Sequence, residues 1–375
     1  MSLAELLEAA WQRSPHARLF DARGDVAYAQ RTAAESLLAG PPSLGLANRN
    51  DRFTERRGKW ENEIELSAPV WLPGQRDARL AAAEADLARN DAAAGAARLA
   101  LAGELRTRVW DAIGAGDELA LARERLEFAR SLEADVVRRV AAGEVARRDA
   151  LLAGAETLAA QTAVAETETR RARALERLRL LTGDERLPDE AREPVRERAA
   201  SHPRLAAAER GVERARAHLR VARESRRESP EIGVQYRRDR DAYGEPSRDT
   251  FAFAVKIPLA TEARNRPLIA AAQAELAEAD GEQWLAQATL ESEEREALLA
   301  LEAADRVAAL AERRLAAVAE AAALVRKAFD LGEASLAELL RVLAATREAQ
   351  LDLARAGAAK GFATARVNQS RGVLP

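Results

Sequence analysis

Three histidines, no cysteine and 61 carboxylates are the groups from which this chain could build chemistry. The histidines are His16, His202 and His218, and the first two stand beside Pro15 and Pro203, where helices are expected to begin. A transition-metal site needs several imidazoles or thiolates converging on one point, so no resident metal and no cofactor is expected. The lack of cysteine removes disulfides, thiolate ligands and cysteine nucleophiles. No phosphate-cradling glycine loop, nucleophile elbow or metalloprotease helix motif occurs, and an enzyme is not expected. The carboxylates are scattered among arginines on helix faces, the ordinary solvated pattern. One short pattern has a local meaning. Ser335-Leu336-Ala337-Glu338 spells a capping box, in which Glu338 serves a helix N-terminus.

The elements that must position these groups are mostly helical. Charged residues make up 32% of the chain and hydrophobic residues 47%, with only 4% aromatic, a profile of long helices. The net charge of −3 gives no basic field, so no nucleic-acid partner is expected. The landmarks repeat. Pro15 and Pro203, Pro42 and Pro230, and Gly45 and Gly233 are 188 residues apart, while Pro69 and Pro258, and Gly143 and Gly332, are 189 apart. Proline and glycine set backbone geometry, so the chain reads as two structural repeats, 1–188 and 189–375, intertwined in one unit. Each repeat runs from a helix to a strand hairpin, then to a very long helix, a glycine turn and a returning helix. The first reads as helix over 3–38, strands at 43–49 and 61–70, helix over 75–140, a turn at Gly143 and helix over 145–181. The second reads as helix over 203–226, strands around 232–237 and 251–257, a helix from about Pro267 to Asp330, a turn at Gly332 and helix over 335–368. Leu119, Ala122, Leu126, Ala129, Leu132 and Val136 fall at spacings of 3 and 4, a seam for antiparallel coiled-coil packing.

The hairpins, at about 42–72 and 229–260, alternate strictly. Ile64, Leu66 and Ala68 alternate with Glu63, Glu65 and Ser67, and Phe251, Phe253 and Val255 with Ala252 and Ala254. Aromatics gather here as Phe53, Trp60, Trp71, Tyr236, Tyr243, Phe251 and Phe253. One apolar strand face with aromatics near the strand ends suits a transmembrane barrel. A small soluble sheet lying on the helices fits the same pattern. Four strands cannot close a barrel, and open edges are not viable in lipid, so the membrane reading requires several copies of the chain. No run of 18 uncharged apolar residues exists, and no transmembrane helix is expected. Met1-Ser2-Leu3-Ala4-Glu5 lacks a charged segment followed by an apolar one, so either the protein is cytoplasmic or its export signal is absent from this sequence.

With this plan in view, the chain resembles the TolC-type outer membrane factors of Gram-negative efflux systems over essentially its whole length. The resemblance rests on the duplicated plan and on local sequence. Ser67-Ala68-Pro69-Val70-Trp71-Leu72-Pro73-Gly74-Gln75-Arg76 is echoed by Val255-Lys256-Ile257-Pro258-Leu259. Arg138 to Gly143 to Asp149-Ala150-Leu151-Leu152 is echoed by Lys327 to Gly332 to Glu338-Leu339-Leu340, and Ser201-His202-Pro203-Arg204-Leu205 opens the second repeat. Leu72-Pro73-Gly74-Gln75-Arg76 and Ser229-Pro230-Glu231-Ile232-Gly233 are most similar to the heavy-metal branch, the outer membrane components of cobalt–zinc–cadmium and copper–silver exporters.

The resemblance implies a homotrimer with a twelve-stranded β-barrel in outer membrane lipid and a twelve-helix α-barrel crossing the periplasm. It implies a passive exit duct for heavy-metal cations, served by a periplasmic adaptor (membrane fusion protein) and an inner-membrane RND-type pump. The glycine turns are then the closed tip where the adaptor docks, with Arg138, Gly143, Lys327, Gly332 and Ser335 as its docking residues. Glu338 occupies a position where relatives carry a pore-facing carboxylate, in competition with its capping role. One turn further on stands Arg341 where relatives carry a second acidic residue. Asp330 and Asp149 are the other gate candidates, with Arg138, Arg147, Arg148 and Lys327 as possible partners of Asp149. The alternatives are a soluble coiled-coil scaffold and a periplasmic adaptor. An adaptor would carry one helical hairpin flanked by Gly-rich β domains, where this chain carries two strand hairpins in register.

Overall fold

A computed structural model describes residues 1–375. The elements run α1 (Leu3–Arg13), α2 (Pro15–Glu35), β1 (Ser43–Asn50), β2 (Trp60–Pro69), α3 (Gln75–Ala141), α4 (Arg147–Thr182), α5 (Pro203–Glu224), β3 (Glu231–Arg240), β4 (Arg248–Lys256), α6 (Glu262–Asp330) and α7 (Leu336–Ser370). The long helices α3 and α6 have 67 and 69 residues, each on the order of 100 Å at about 1.5 Å per residue.

Two helix boundaries differ most from the expectation. The first helix is broken at Ser14, whose backbone is extended and whose hydroxyl accepts from the His16 N–H at 3.2 Å. Ser14 is thus an N-cap, with Pro15 at the first helical position where its missing N–H costs nothing. Helix α6 starts at Glu262, and Pro267 lies inside it. Pro267, in the second turn, has no N–H to give the Ala263 carbonyl, so one bond of the helix ladder is missing there.

The two expected hairpins join into one sheet. β1, β2, β3 and β4 are antiparallel neighbours in chain order, with β2 and β3 pairing from Trp60 opposite Arg240 to Pro69 opposite Glu231. β1 and β4 are the two free edges.

The chain forms two compact units. The first comprises residues 1–18, 95–203 and 287–375, and the second 19–94 and 204–286. The first has two apolar clusters. Leu3, Leu6 and Leu7 of α1 pack on Ala102, Leu105 and Val109 of α3 and Leu178 of α4. Leu132 and Val136 of α3 pack with Ala153 of α4, Phe329 of α6, and Leu336 and Leu339 of α7. The coiled-coil seam of α3 is buried at Leu119, Ala122, Ala129, Leu132 and Val136 and half-buried at Leu126. The second unit contains the sheet, and the buried residues of its helices are mostly small: Ala27, Ala34, Ala78, Ala82, Ala83, Val212, Ala215 and Leu219. Alanine faces let backbones approach closely while burying little area per contact.

Candidate functional site

The glycine turns that join the helix pairs of the first unit have the same geometry. Gly143 and Gly332 lie at φ +81° and +80°, in the left-handed region that a Cβ makes costly. After α3, the Glu144 N–H donates to the Arg139 carbonyl at 2.9 Å and the Gly143 N–H to the Val140 carbonyl at 3.0 Å. After α6, the Glu333 N–H donates to the Ala328 carbonyl at 2.8 Å and the Gly332 N–H to the Phe329 carbonyl at 3.0 Å. Both are Schellman motifs, satisfying carbonyls that a helix end leaves open.

The helices that return from these turns start differently. Ser335 is the N-cap of α7, and its hydroxyl accepts from the Glu338 N–H at 3.2 Å. The Glu338 carboxylate makes no return bond to Ser335, so the capping box is half formed and the carboxylate is exposed. At the matching position, Ala146 caps α4 with no side-chain bond. Asp149, the counterpart of Glu338, is half-buried, with its nearest cation the adjacent Arg148 at 3.4 Å. A carboxylate in the first turn of each helix suits the positive end of its dipole.

The other candidates divide into paired and unpaired groups. Asp330 sits at the end of α6, where the dipole disfavours it, and is held by Arg326 at 3.3 Å and Arg139 at 3.9 Å. Arg139 also binds Asp135 at 3.0 Å and lies 5.3 Å above the Phe329 ring. Arg138 pairs with Asp135 at 3.2 Å. Arg341 and Lys327 are exposed and make no ion pair. Near the turns Glu338, Arg341 and Lys327 are thus solvent-facing charges without an ion pair, while Asp330 and Arg138 are paired locally.

Farther along the same helices lies a cluster not foreseen from the sequence. Glu156 of α4 accepts from Arg125 of α3 at 3.1 Å and from Arg347 of α7. Arg347 and Arg326 of α6 flank the Phe128 ring at 5.6 and 5.5 Å. Burial lowers the proton affinity of the Arg347 guanidinium; Glu156 opposes this and the like charge of Arg125 adds to it. A second such cluster is centred on Arg106, 1% exposed. Its guanidinium forks onto Glu193 at 2.8 and 2.6 Å and donates to Gln369 at 2.7 Å and the Val373 carbonyl at 3.1 Å. Asn368 joins Glu193 at 3.2 Å and the Pro194 carbonyl at 2.9 Å. The segment between α4 and α5 is thereby bound to α3 and to the end of α7.

In the second unit, the sheet exposes its apolar side. Leu44, Leu66, Val234 and Phe253 form one cross-strand row, and Leu46, Ile64, Tyr236 and Phe251 the next. Leu46 is 72% exposed and Phe251 76%. On β2 the polar residues Glu61, Glu63 and Glu65 are half-buried, while Ile64 and Leu66 on the opposite side are exposed. This is the reverse of a sheet packed on a soluble core, where the apolar side is the covered one. Strands of 8 to 10 residues fall close to the roughly 9–11 that a tilted transmembrane strand needs.

The two stretches most similar to the heavy-metal branch meet where strand passes to helix. Gln75 is buried. It donates to the Arg227 carbonyl at 2.8 Å and accepts from the Ser229 hydroxyl at 3.2 Å and the Leu72 N–H at 3.3 Å. Arg76 donates to the Ala34 carbonyl at 3.2 Å and to that of Glu35, closing the end of α2. These residues knit a junction; none of them presents a set of metal ligands. Of the histidines, His16 is a helix-start residue, as expected. His218 instead bonds Asp86 at 3.0 Å beside Arg214 at 2.6 Å, joining α5 to α3.

The chain thus combines long antiparallel helix pairs, two glycine turns and a sheet with an exposed apolar face. Residues 6–184 match the family model described as outer membrane efflux protein. The fold is that of solved channels at low identity. CusC, reported for its conformational changes on folding and transmembrane channel formation, superposes with a TM-score of 0.81 at 16% identity, covering 99% of this chain and 92% of that one. The outer membrane protein VceC of Vibrio cholerae gives 0.75 at 17%, covering 99% and 96%. The CmeC outer membrane channel of Campylobacter jejuni gives 0.75 at 16%, covering 99% and 85%. No curated protein sequence matches the chain. Over residues 6–184 the chain is thus similar to the outer membrane efflux proteins, and along nearly all of its length it has the fold of these channels.

Proposed function

We propose that three copies of this chain form the exit duct of a tripartite efflux pump in a Gram-negative bacterium. Twelve strands close the barrel in outer membrane lipid, and twelve helices line a tunnel through the periplasm. The two halves of the chain, 1–188 and 189–375, act as quasi-equivalent repeats. The observation that carries this reading is the sheet: exposed apolar side, half-buried charges and two unpaired edges. In lipid an open edge leaves backbone groups unsatisfied, and pairing β1 of one copy with β4 of the next removes both edges.

The glycine turns serve as the periplasmic end, where an adaptor docks at Arg138, Gly143, Lys327, Gly332 and Ser335 and an inner-membrane RND-type pump supplies energy. Glu338 faces the pore as a ring of three carboxylates, with its helix capped by Ser335 instead. Asp149 and Arg341 modulate the field there, and Asp330 acts at the gate through its pairs with Arg326 and Arg139. Heavy-metal cations are the proposed cargo, on the strength of the Leu72–Arg76 and Ser229–Gly233 stretches.

The test is direct. The protein exported with a signal peptide should fractionate with the outer membrane, cross-link as a trimer and conduct in planar bilayers. A protein recovered in the soluble periplasm as a monomer defeats the duct reading. Cargo is tested by co-expression with pump and adaptor: tolerance to zinc, cobalt, cadmium, copper or silver should rise, and tolerance only to organic compounds would replace the metal assignment.

A further inference from the structure

The polar face of the sheet carries nine charged side chains, and eight of them are matched. Arg49 lies 2.9 Å from Glu61 and 3.8 Å from Glu63. Arg237 lies 3.9 Å from Glu61 and 3.7 Å from Asp239. Arg248 is 3.7 Å from Asp239 and Lys256 is 3.5 Å from Glu231. All four cations of the face are thus engaged by four carboxylates, and Glu63 also accepts from Gln235.

The ninth is Glu65. Its cross-strand neighbours are Gly45 and Gln235, with Ala252 beyond, and the row beside it is Ser43, Ser67, Gly233 and Ala254. Neither row contains a cation; the row on the other side, Ala47, Glu63, Arg237 and Thr250, contains only Arg237. The glycines keep the surroundings open: a Cβ at Gly233 would stand 3.5 Å from the Glu65 carboxylate, and one at Gly45 would touch its Cβ at 3.5 Å. The Glu65 side chain therefore stands beside a band of small side chains and makes no ion pair of its own. The one cation in an adjoining row, Arg237, is shared between Glu61 and Asp239, so no ion pair cancels the Glu65 carboxylate at close range.

We propose that Glu65 sets the charge preference of the duct within the sheet, favouring cations over anions. The inference rests on the reading that the polar face lines the pore. Under that reading every copy adds one carboxylate to a ring, and rings of carboxylates select cations. Glu61 and Glu63 stand on the same strand, but their arginine partners cancel them at close range. The cargo class that fits is a hydrated cation passing through, not one held, because no second ligand converges on Glu65.

The test uses full-length protein in planar bilayers under a KCl gradient, with the reversal potential as readout. Wild-type pores should be cation-selective. Glu65→Gln keeps the shape and breaks no ion pair, and should shift the reversal potential toward zero, while Glu65→Lys should shift it to the anion-selective side. Conducting pores whose reversal potential neither variant moves overturn the Glu65 assignment and leave the duct intact. A wild-type chain that makes no pore overturns the duct reading, and this inference with it.

Discussion

Arg347 of α7 donates to Glu156 of α4, and through it the two returning helices are tied together across 191 positions of sequence. Arg125 of α3 reaches the same carboxylate at 3.1 Å. One acidic group therefore holds two guanidiniums, one of them largely buried. Removing Glu156 leaves Arg347 facing Arg125 with nothing between them. We expect Glu156→Gln to destabilise this end of the helix assembly by about 1–3 kcal/mol. Thermal unfolding should show the loss, and single-channel recordings should show longer openings. Pairing it with Arg347→Met should recover part of the loss in a double-mutant cycle; simple additivity would mean the two groups do not interact.

The glycine turns provide a cleaner backbone test. Nothing lies within 4 Å of a Cβ built on Gly143 or Gly332. Alanine there meets no obstacle but must adopt positive φ, at about 1–2 kcal/mol per site. Gly143→Ala and Gly332→Ala should lower the melting temperature by similar amounts. The same substitution at Gly361 should be far worse, because its Cβ would lie 1.9 Å from the Trp110 ring. Equal losses at all three sites would refute this ordering.

At the start of α7, capping and pore charge separate by residue. The cap is the Ser335 hydroxyl accepting from the Glu338 N–H, a bond that survives any change to the Glu338 carboxylate. Ser335→Ala should cost about 1 kcal/mol of stability and leave ion preference unchanged. Glu338→Gln should leave stability nearly unchanged and reduce cation preference in bilayers. Fraying of α7 in Glu338→Gln, seen as faster amide exchange, would return the carboxylate to a capping role.

Some of this is legible in sequence and some is not, for physical reasons. Gly143 and Gly332 announce themselves, because a residue type that tolerates positive φ recurs in register with its flanking pattern. The strands are legible because alternation has period 2, and a single-residue slip would reverse every side chain. Joining of the hairpins into one sheet is not, since no local signal says that Ile64 will face Tyr236. The arginine clusters are hidden for a related reason. Arg106, Arg125 and Arg347 are ordinary members of a set of 58 basic residues, and their carboxylates lie 87, 31 and 191 positions away. Glu338 shows the opposite failure: its motif reads as a reciprocal box, and only one of the two bonds forms.

Arg106 permits the strongest stability prediction. Its guanidinium is sealed from water and every direction of the fork is used. Glu193→Gln or Glu193→Ala strands that charge in the interior, at a cost of about 3–5 kcal/mol. Replacing Arg106 and Glu193 together by apolar residues of similar volume should cost less than either single change. Chemical denaturation of the three variants checks this, and a double variant as unstable as the worse single one would show that the fork is needed for more than charge balance.

Burial raises the Asp86 carboxyl, but hydrogen bonds from His218 and Arg214 outweigh it and leave Asp86 below its ordinary value. A carboxyl whose folded proton affinity is depressed contributes stability above its unfolded pKa, near 4, and loses it as pH falls through the lower folded value. The contact between α3 and α5 should therefore be fully stabilising at neutral pH and weaken only below about pH 4. Asp86→Asn should melt at a lower temperature than wild type at pH 7, and the gap should close as the pH drops toward 3. A gap that stays constant over this range would mean that Asp86 supports the helix contact by shape and neutral hydrogen bonding, with its charge contributing nothing.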